Sequence, residues 1–290
     1  MRRREFLKHA GLIGGAAVAL KSIQRPLIAS ETKKYANDIV TLGNTKIKAS
    51  RLAMGTGTHG VNKSSNQSRG LGIQGVADLL HAAYDEGINF WDSADQYGTH
   101  PHLKQALKSI PREKVVILTK THATTEDEMK ADLDRFRKEL NTDYIDMILL
   151  HFMTDPNWPT VKQGAMNVLS RAREDGLIRA HGVSCHSLGA LEAAADSPWV
   201  QVDMARINPA GVIMDADVST VESVLKKMHK AGKGIVGMKI FGAGRLVHKA
   251  DESLRYVLNL PSVDAFTIGQ ENQAEMRDLI KRISAASMRG

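Results

Sequence analysis

The sequence predicts an α/β protein built on a closed (β/α)8 barrel of the TIM type, with an N-terminal β-hairpin before the first barrel strand. Eight apolar, strand-like segments each precede a segment with helical periodicity, in units of about 30 residues. Composition does not change along these units, which indicates a single barrel domain over residues 30–290. The main alternative is an open doubly wound sheet, but the glycine-rich stretch at 55–60 lacks the G-x-G-x-x-G spacing typical of that fold.

The predicted elements follow one another without a linker. The hairpin is expected over residues 38–48, with its turn at Gly43-Asn44. The strands are expected at 51–57, 88–91, 115–120, 144–150, 178–184, 200–207, 234–240 and 263–268. The helices are expected at 73–86, 102–108, 125–140, 161–175, 187–195, 218–231, 251–258 and 273–286.

The first residues have the layout of a secretion signal. Arg3 and Arg4 precede an apolar stretch at 10–20 that is rich in small residues, as in signals of the twin-arginine type. The stretch is too short to span a bilayer, which requires roughly 20 apolar residues. We therefore expect residues 1–29 to be a twin-arginine-type signal that directs the protein through the twin-arginine export machinery to the periplasm, or tethers it to the membrane if uncleaved. A basic amphipathic start is the alternative.

Charge and cysteine content exclude several classes of function. Eight of the 39 Lys and Arg residues fall within the first 34 positions, which hold only two of the 32 acidic residues, so the remaining chain is close to neutral. This balance argues against nucleic acid as a partner. The single cysteine, Cys185, cannot form an intramolecular disulfide or hold an iron–sulfur cluster. The histidines show no metal-ligand spacing, so no metal is expected.

Titratable side chains stand at the ends of three consecutive predicted strands. Asp92 follows the second strand, with Tyr97 five residues later, while Lys120 ends the third strand and His151 follows the fourth. Each residue alone is weak evidence, because a strand-end Lys or His is often only solvated or structural. The carboxyl ends of barrel strands meet at one mouth, however, so the four side chains are expected to converge there.

These motifs resemble the aldo-keto reductase family, over residues of about 39–279. The resemblance is carried by Asp92-Ser93-Ala94, Tyr97-Gly98, Lys120, and His151 in Leu149-Leu150-His151. It implies an NAD(P)-dependent oxidoreductase that transfers hydride between nicotinamide and a small-molecule carbonyl or alcohol, such as an aldehyde, a ketone or a sugar. A barrel that binds cofactor or regulates a partner without turnover is the alternative.

The resemblance also implies a role for each of the four residues. Tyr97 is expected to act as the acid/base, and the neighbouring charge of Lys120 is expected to lower its pKa. Asp92 is the expected partner of Lys120, and His151 is expected to orient the carbonyl.

The implied cofactor contacts depart in part from the family pattern. The carboxamide-binding residue is Gln201 or, in another register, Met204, and Met238 stands where the family often stacks an aromatic ring. Glu275 replaces an expected Arg, so both NADP and NAD stay open as cofactors. The expected cofactor contacts are Gly55, Thr56, Ser184, Gln201, Met238, Gly242, Gly244, Gly269, Gln270 and Glu275. The expected substrate contacts, on loops at the mouth, are His59 and Trp158.

Overall fold

The computed structural model describes residues 33–287, and within them the predicted barrel is confirmed. Its strands are β3 (Leu52–Gly55), β4 (Phe90–Asp92), β5 (Val116–Thr121), β6 (Ile145–Met153), β7 (Ile178–Cys185), β8 (Val202–Arg206), β9 (Gly234–Met238) and β10 (Ala265–Gly269). They are parallel and close in the order β10-β3-β4-β5-β6-β7-β8-β9. The predicted signal at residues 1–29 lies outside the described residues.

The predicted hairpin closes the amino end of the barrel. It consists of β1 (Ile39–Thr41) and β2 (Lys48–Ser50), paired antiparallel and joined through a 3-10 turn at Gly43–Thr45. Leu42 and Ile47 are fully buried among the side chains that fill the barrel interior. The hairpin therefore acts as a hydrophobic plug at the end opposite the mouth.

Helices cover the outside of the barrel, between the strands in sequence. They are α1 (Asn66–Asp85), α2 (His100–Ala106), α3 (Glu126–Leu140), α4 (Trp158–Val161), α5 (Gln163–Glu174), α6 (Leu188–Asp196), α7 (Val218–Lys230), α8 (Ala250–Asn259) and α9 (Gln273–Ala286). α1 begins well before the predicted residue 73, because Ser65 and Ser68 form a capping box at its N terminus. Among the described helices, none is long and apolar enough to cross a membrane.

Strand alternation sorts the core into two clusters. On β7, Ala180 belongs to the cluster inside the barrel, whereas Val183 belongs to the cluster between the strands and the helices. The same alternation places Asp92 on the inner face of β4, because Phe90 belongs to the inner cluster and Trp91 to the outer one. Polar residues at the end of such a strand therefore point into the mouth.

Candidate active site

The structure brings the four predicted catalytic side chains together at the carboxyl-terminal mouth of the barrel. Asp92 is the last residue of β4, whereas Lys120 lies in β5 and His151 in β6. Tyr97 follows β4 on a 3-10 turn, Asp95–Tyr97. Because β4, β5 and β6 are neighbouring parallel strands, their ends deliver these groups to one place.

Asp92 and Lys120 form a buried ion pair. Lys120, which is 1% exposed, donates to Asp92 Oδ1 at 2.5 Å and to the Ser93 carbonyl at 2.8 Å. The other carboxylate oxygen, Asp92 Oδ2, accepts a hydrogen bond from the Thr267 hydroxyl at 2.9 Å. Burial alone would lower the pKa of Lys120, but its interactions with Asp92 and Tyr97, chiefly with the Asp92 carboxylate, outweigh burial and raise it. Lys120 therefore keeps its charge.

The ring of Tyr97 occupies a slot between two glycines. A Cβ atom on Gly57 would lie 2.2 Å from the ring, and one on Gly60 would lie 2.3 Å from it. The Lys120 ammonium is 4.9 Å from the ring centroid. Burial raises the pKa of Tyr97 and outweighs the lowering by Lys120. The net shift is therefore opposite to the one expected from the sequence, and the phenol stays protonated at neutral pH.

His151 is a neutral imidazole in this environment. Burial, followed by the positive charge of Lys120 and then by neighbouring His122, lowers its pKa to about 2. Its ring meets the Tyr97 ring edge-on at a centroid distance of 5.7 Å and stacks on His122 at 4.7 Å. A neutral imidazole offers one N–H donor, so His151 can hydrogen-bond a carbonyl oxygen without adding charge.

The strand register corrects the expected carboxamide contact. Ser184 pairs with Met204 in the β7–β8 register, whereas Gln201 precedes β8 and its side-chain oxygen accepts from the backbone N–H of His181 at the amino end of the barrel. The structure therefore places Gln201 away from the mouth and puts Met204 beside Ser184. Ser184 itself is buried and accepts from the Phe152 N–H at 3.1 Å, which leaves its hydroxyl proton available.

The loop after β9 combines a packed glycine with an open one. Met238 ends β9 and is buried in the barrel interior. Gly242 has a φ of 55°, and a Cβ atom there would lie 2.8 Å from Val212, so protein packing alone already requires glycine. Gly244 has a φ of 94° and no atom within 4 Å of the position of an added Cβ. The space beside its Cα is therefore open, while its N–H donates to the Phe241 carbonyl at 2.9 Å.

Thr56 holds the end of β4 in place through hydrogen bonds. Its backbone N–H and its hydroxyl both donate to the Asp92 carbonyl, at 3.0 and 2.9 Å, and the hydroxyl also meets the Thr99 hydroxyl at 2.8 Å. The residue is buried, and its side chain is fully used within the protein.

Gly55 and Gly269 sit opposite each other in the β3–β10 register. A Cβ atom on Gly55 would lie 3.0 Å from the Thr267 hydroxyl oxygen, and one on Gly269 would lie 2.3 Å from the Thr58 hydroxyl oxygen. Neither glycine has positive φ, so both are required by close approach of neighbouring groups. Gly269 is exposed at the mouth, whereas Gly55 is buried.

The turn after β10 is held by its own side chains. The Glu275 carboxylate accepts from the backbone N–H of Glu271 and from the side chain of Asn272, both at 2.8 Å, and so helps to cap α9. Gln270 is buried and donates to the Ile268 carbonyl, but its side-chain oxygen has no partner among the described residues. Glu275 is exposed and keeps acidic charge at this end of the mouth.

The two expected substrate contacts behave differently. His59 is exposed on the loop after β3, with its Nδ1 3.3 Å from the Asn66 side chain. Trp158 is 2% exposed, donates to the Ala190 carbonyl at 3.2 Å and packs within the helix layer. The structure therefore places Trp158 at the start of α4, with its indole buried in the outer core.

Four further side chains at the mouth were not predicted: His122, Phe152, His186 and Lys239. Phe152 is 53% exposed, has a φ of 63°, and its ring lies 4.2 Å from His186. His122 bonds to Gln96 at 2.6 Å, and Lys239 forms no ion pair with a described residue. The signal that could have found them is position, since each lies at or just after the end of a barrel strand.

A group of potential metal ligands lies beside the mouth but is already neutralised. Donor atoms of Asp95, His100 and Glu139 lie within 4.8 Å of one another. The Arg135 guanidinium donates to Asp95 at 2.6 Å and to Glu139 at 3.0 Å. The arrangement is therefore an ion-pair network about Arg135.

The mouth suits a nicotinamide dinucleotide in three respects. The Ser184 hydroxyl proton is available to an amide, the space beside the Gly244 Cα is open, and the Gln270 side-chain oxygen lacks a partner among the described residues. A phenol, an ammonium and an imidazole converge beside this surface. Fold and site together define a class of protein, the barrel oxidoreductases that use NAD(P).

The model of the aldo/keto reductase family matches residues 51–277, and the chain belongs to this family. It is 30% identical over 172 residues to the NADH-specific methylglyoxal reductase of Escherichia coli strain K12, covering 50% of this chain and 51% of that protein. It is 24% identical over 231 residues to the D-threo-aldose 1-dehydrogenase of a Pseudomonas species, covering 68% and 69%. The chain thus spans about half to two thirds of these relatives.

The fold is shared with solved structures at low identity. An aldo-keto reductase from Pseudomonas aeruginosa superposes with a TM-score of 0.70 at 22% identity, covering 89% of this chain and 99% of that one. Identity at this level supports the barrel architecture and leaves the reaction to be argued from the site.

Proposed function

We propose that the protein is an NAD(P)-dependent oxidoreductase that reduces the carbonyl of an aldehyde, a ketone or a sugar, with Tyr97 as the proton donor. The observation that carries the proposal is the convergence of Tyr97, Lys120 and His151 on one mouth, with Asp92 paired to Lys120 at 2.5 Å. Four titratable groups placed this way have no packing reason to converge.

The side chains supply the proton and the electrostatic support. When bound, the nicotinamide supplies hydride, and negative charge then develops on the carbonyl oxygen. Tyr97 holds its proton because burial raises its pKa, so the phenol can donate that proton to the oxygen. The nearby Lys120 ammonium stabilises the phenolate that remains. Neutral His151 orients the carbonyl through its N–H.

Replacing Tyr97 with Phe tests this function. The Tyr97→Phe variant removes the proton donor but leaves the ring in its glycine slot, so we expect kcat for carbonyl reduction to fall about 10²- to 10⁴-fold. Nucleotide affinity, measured by fluorescence titration, should stay within about twofold of the parent. Tyr84→Phe is the matched control, since Tyr84 is a half-buried tyrosine of α1 that packs against the outer core.

Two outcomes would reject the function. Unchanged reduction in Tyr97→Phe would rule out the phenol as the donor. Absence of turnover in the parent over a broad panel of aldehydes, ketones and sugars, with nucleotide still bound, would favour the barrel that binds without turnover.

The substrate class and the cofactor form part of the same proposal. The imidazoles of His122 and His186 and the cation of Lys239 make the mouth polar, which favours a small polar carbonyl compound. The names of the two relatives, a methylglyoxal reductase and an aldose dehydrogenase, agree with that class. Exposed Glu275 would repel a 2′-phosphate, so we expect NADH to bind at least as tightly as NADPH. Tighter binding of NADPH in parallel titrations would contradict this.

Export by the twin-arginine route remains our proposal for residues 1–29. It is supported by Arg3 and Arg4 before the short apolar stretch. The full-length protein should then appear in the periplasmic fraction, and the Arg3→Lys/Arg4→Lys variant should stay in the cytoplasm. Equal distribution of the two proteins between the fractions would exclude this route.

A further inference from the structure

We propose that Thr267 is a positioning residue for the reaction, acting through Asp92 across the space that Gly55 leaves free. The inference rests on the proposed function, since it concerns the ion pair that supports Tyr97. Thr267 lies in β10, which is separated from β4 by β3. Its hydroxyl nevertheless donates to Asp92 Oδ2 at 2.9 Å.

Each oxygen of the Asp92 carboxylate has one donor. Lys120 donates to Oδ1 at 2.5 Å and Thr267 donates to Oδ2 at 2.9 Å. All three residues are buried, with exposures of 5% for Asp92, 1% for Lys120 and 8% for Thr267. A hydrogen bond to a buried charged group is stronger than one between neutral groups, and a carboxylate with both oxygens bonded cannot rotate freely. Thr267 therefore sets the plane of the Asp92 carboxylate and, through it, the position of the Lys120 ammonium.

The strand register explains how the Thr267 hydroxyl reaches Asp92 across the intervening strand β3. Gly55 pairs with Asp92 on one side and with Gly269 on the other, and Thr267 lies two residues before Gly269 on β10. Thr267, Gly55 and Asp92 all lie on the inner face of their strands. A side chain at Gly55 would begin 3.0 Å from both the Thr267 hydroxyl oxygen and the Gly269 backbone nitrogen, tighter than ordinary van der Waals contact. The missing side chain therefore leaves the gap through which the hydroxyl reaches the carboxylate.

Threonine is suited to this task because it is branched at Cβ. A β-branched side chain has restricted χ1 freedom in a strand, so its hydroxyl points in a defined direction. Thr267 Oγ1 makes no other hydrogen bond to a described residue. Valine has the same shape and lacks the donor, whereas serine keeps the donor with a freer χ1.

The experiment compares Thr267→Val and Thr267→Ser with the parent enzyme. We expect Thr267→Val to lower kcat about tenfold while the KM for the carbonyl and the Kd for NADH stay within about twofold, because the lost contact acts on the reacting assembly. Thr267→Ser should recover kcat to within about threefold of the parent. Thr119→Val is the matched control, since Thr119 is a buried strand threonine bonded to His100 at 2.7 Å on the outer face. It should lose stability without losing kcat.

A double-mutant cycle with Asp92→Asn tests the route of the effect. If Thr267 acts through the Asp92 charge, Thr267→Val should lower kcat no further in the Asp92→Asn background, and the two changes should be non-additive in urea unfolding. Parent-like kcat in Thr267→Val, an equal loss in Thr119→Val, or additive effects on unfolding would overturn the proposal. The double-mutant cycle in urea unfolding does not depend on enzyme activity. If the parent showed no reductase activity, the proposed function would be rejected, but the cycle would still show whether Thr267 and Asp92 interact.

Discussion

At the scale of single residues, the space around the Tyr97 ring is as important for positioning the phenol as the charged residues beside it. Gly57 and Gly60 come from the loop after β3, whereas Tyr97 comes from the turn after β4. Neither glycine has positive φ, so glycine is required at both positions because a Cβ atom would collide with the Tyr97 ring. The two loops together set where the phenol oxygen points.

Substituting Gly60 with Ala should therefore displace the ring rather than strain the backbone. We expect Gly60→Ala to lower kcat about tenfold to a hundredfold, because small misplacements of a reacting group have effects of that size. Steady-state kinetics and a crystal structure of the variant would show the loss and the shift of Tyr97.

Gly70→Ala is the control for that variant. Gly70 lies in α1 with open space about its Cβ position, and alanine there should stabilise the helix by up to about 1 kcal/mol without changing kcat. Parent-like kinetics in Gly60→Ala would show that the ring does not need the slot.

At the scale of elements, the hairpin of β1 and β2 and the barrel depend on each other. Leu42 and Ile47 are fully buried and pack against the side chains inside the barrel. The backbone N–H of Asn44 donates to the carbonyl of Gly232, just before β9, at 2.8 Å. A barrel interior must be filled by side chains, and here the hairpin supplies part of the filling at the amino end.

Removing a buried side chain from the hairpin should lower the free energy of unfolding and leave the site at the mouth intact. We expect Leu42→Ala to lower the free energy of unfolding by about 2–5 kcal/mol, the range for a buried leucine that leaves a cavity. Ile39→Ala, at a hairpin position that is 57% exposed, should change it by less than about 0.5 kcal/mol. Urea unfolding measures both, and equal losses would show that the hairpin is not part of the core.

At the scale of the whole molecule, stability should depend on a buried acid far from the reaction. Asp203 in β8 is fully buried beside the Cys185 thiol, and burial raises its pKa to about 7. An unfolded Asp titrates near 3.9. Between about pH 4 and pH 7 the native state therefore keeps a proton that the unfolded chain has lost.

The resulting pH dependence has a defined sign. The stability contributed by protonated Asp203 is complete below about pH 4 and is lost as pH rises through about 7, by up to about 4 kcal/mol. Asp203→Asn cannot ionise, so it should lose less stability than the parent between pH 5 and pH 8. Urea unfolding at both values checks this, and parallel losses in parent and variant would contradict it.

Local patterns were sufficient for the architecture. Strand and helix periodicity lies in adjacent residues, so the eight units and the hairpin could be predicted, although the start of α1 at Asn66 and the short helix α4 were missed. Asp92, Lys120 and His151 could be placed for the same reason, because each stands at the end of an apolar strand. The exposed or buried state of a loop residue is not local, which is why Trp158 was placed at the mouth although its indole lies in the outer core.

The sequence by itself determined the barrel, the family and the four residues that meet at its mouth, because these depend on periodicity and on position along strands. Only the tertiary structure decided the register that replaces Gln201 with Met204 beside Ser184. It also decided the balance by which burial outweighs Lys120 and raises the pKa of Tyr97. The bond from Thr267 to Asp92 joins residues 175 positions apart. Such contacts arise when the barrel closes, and they leave no pattern between neighbours in the chain.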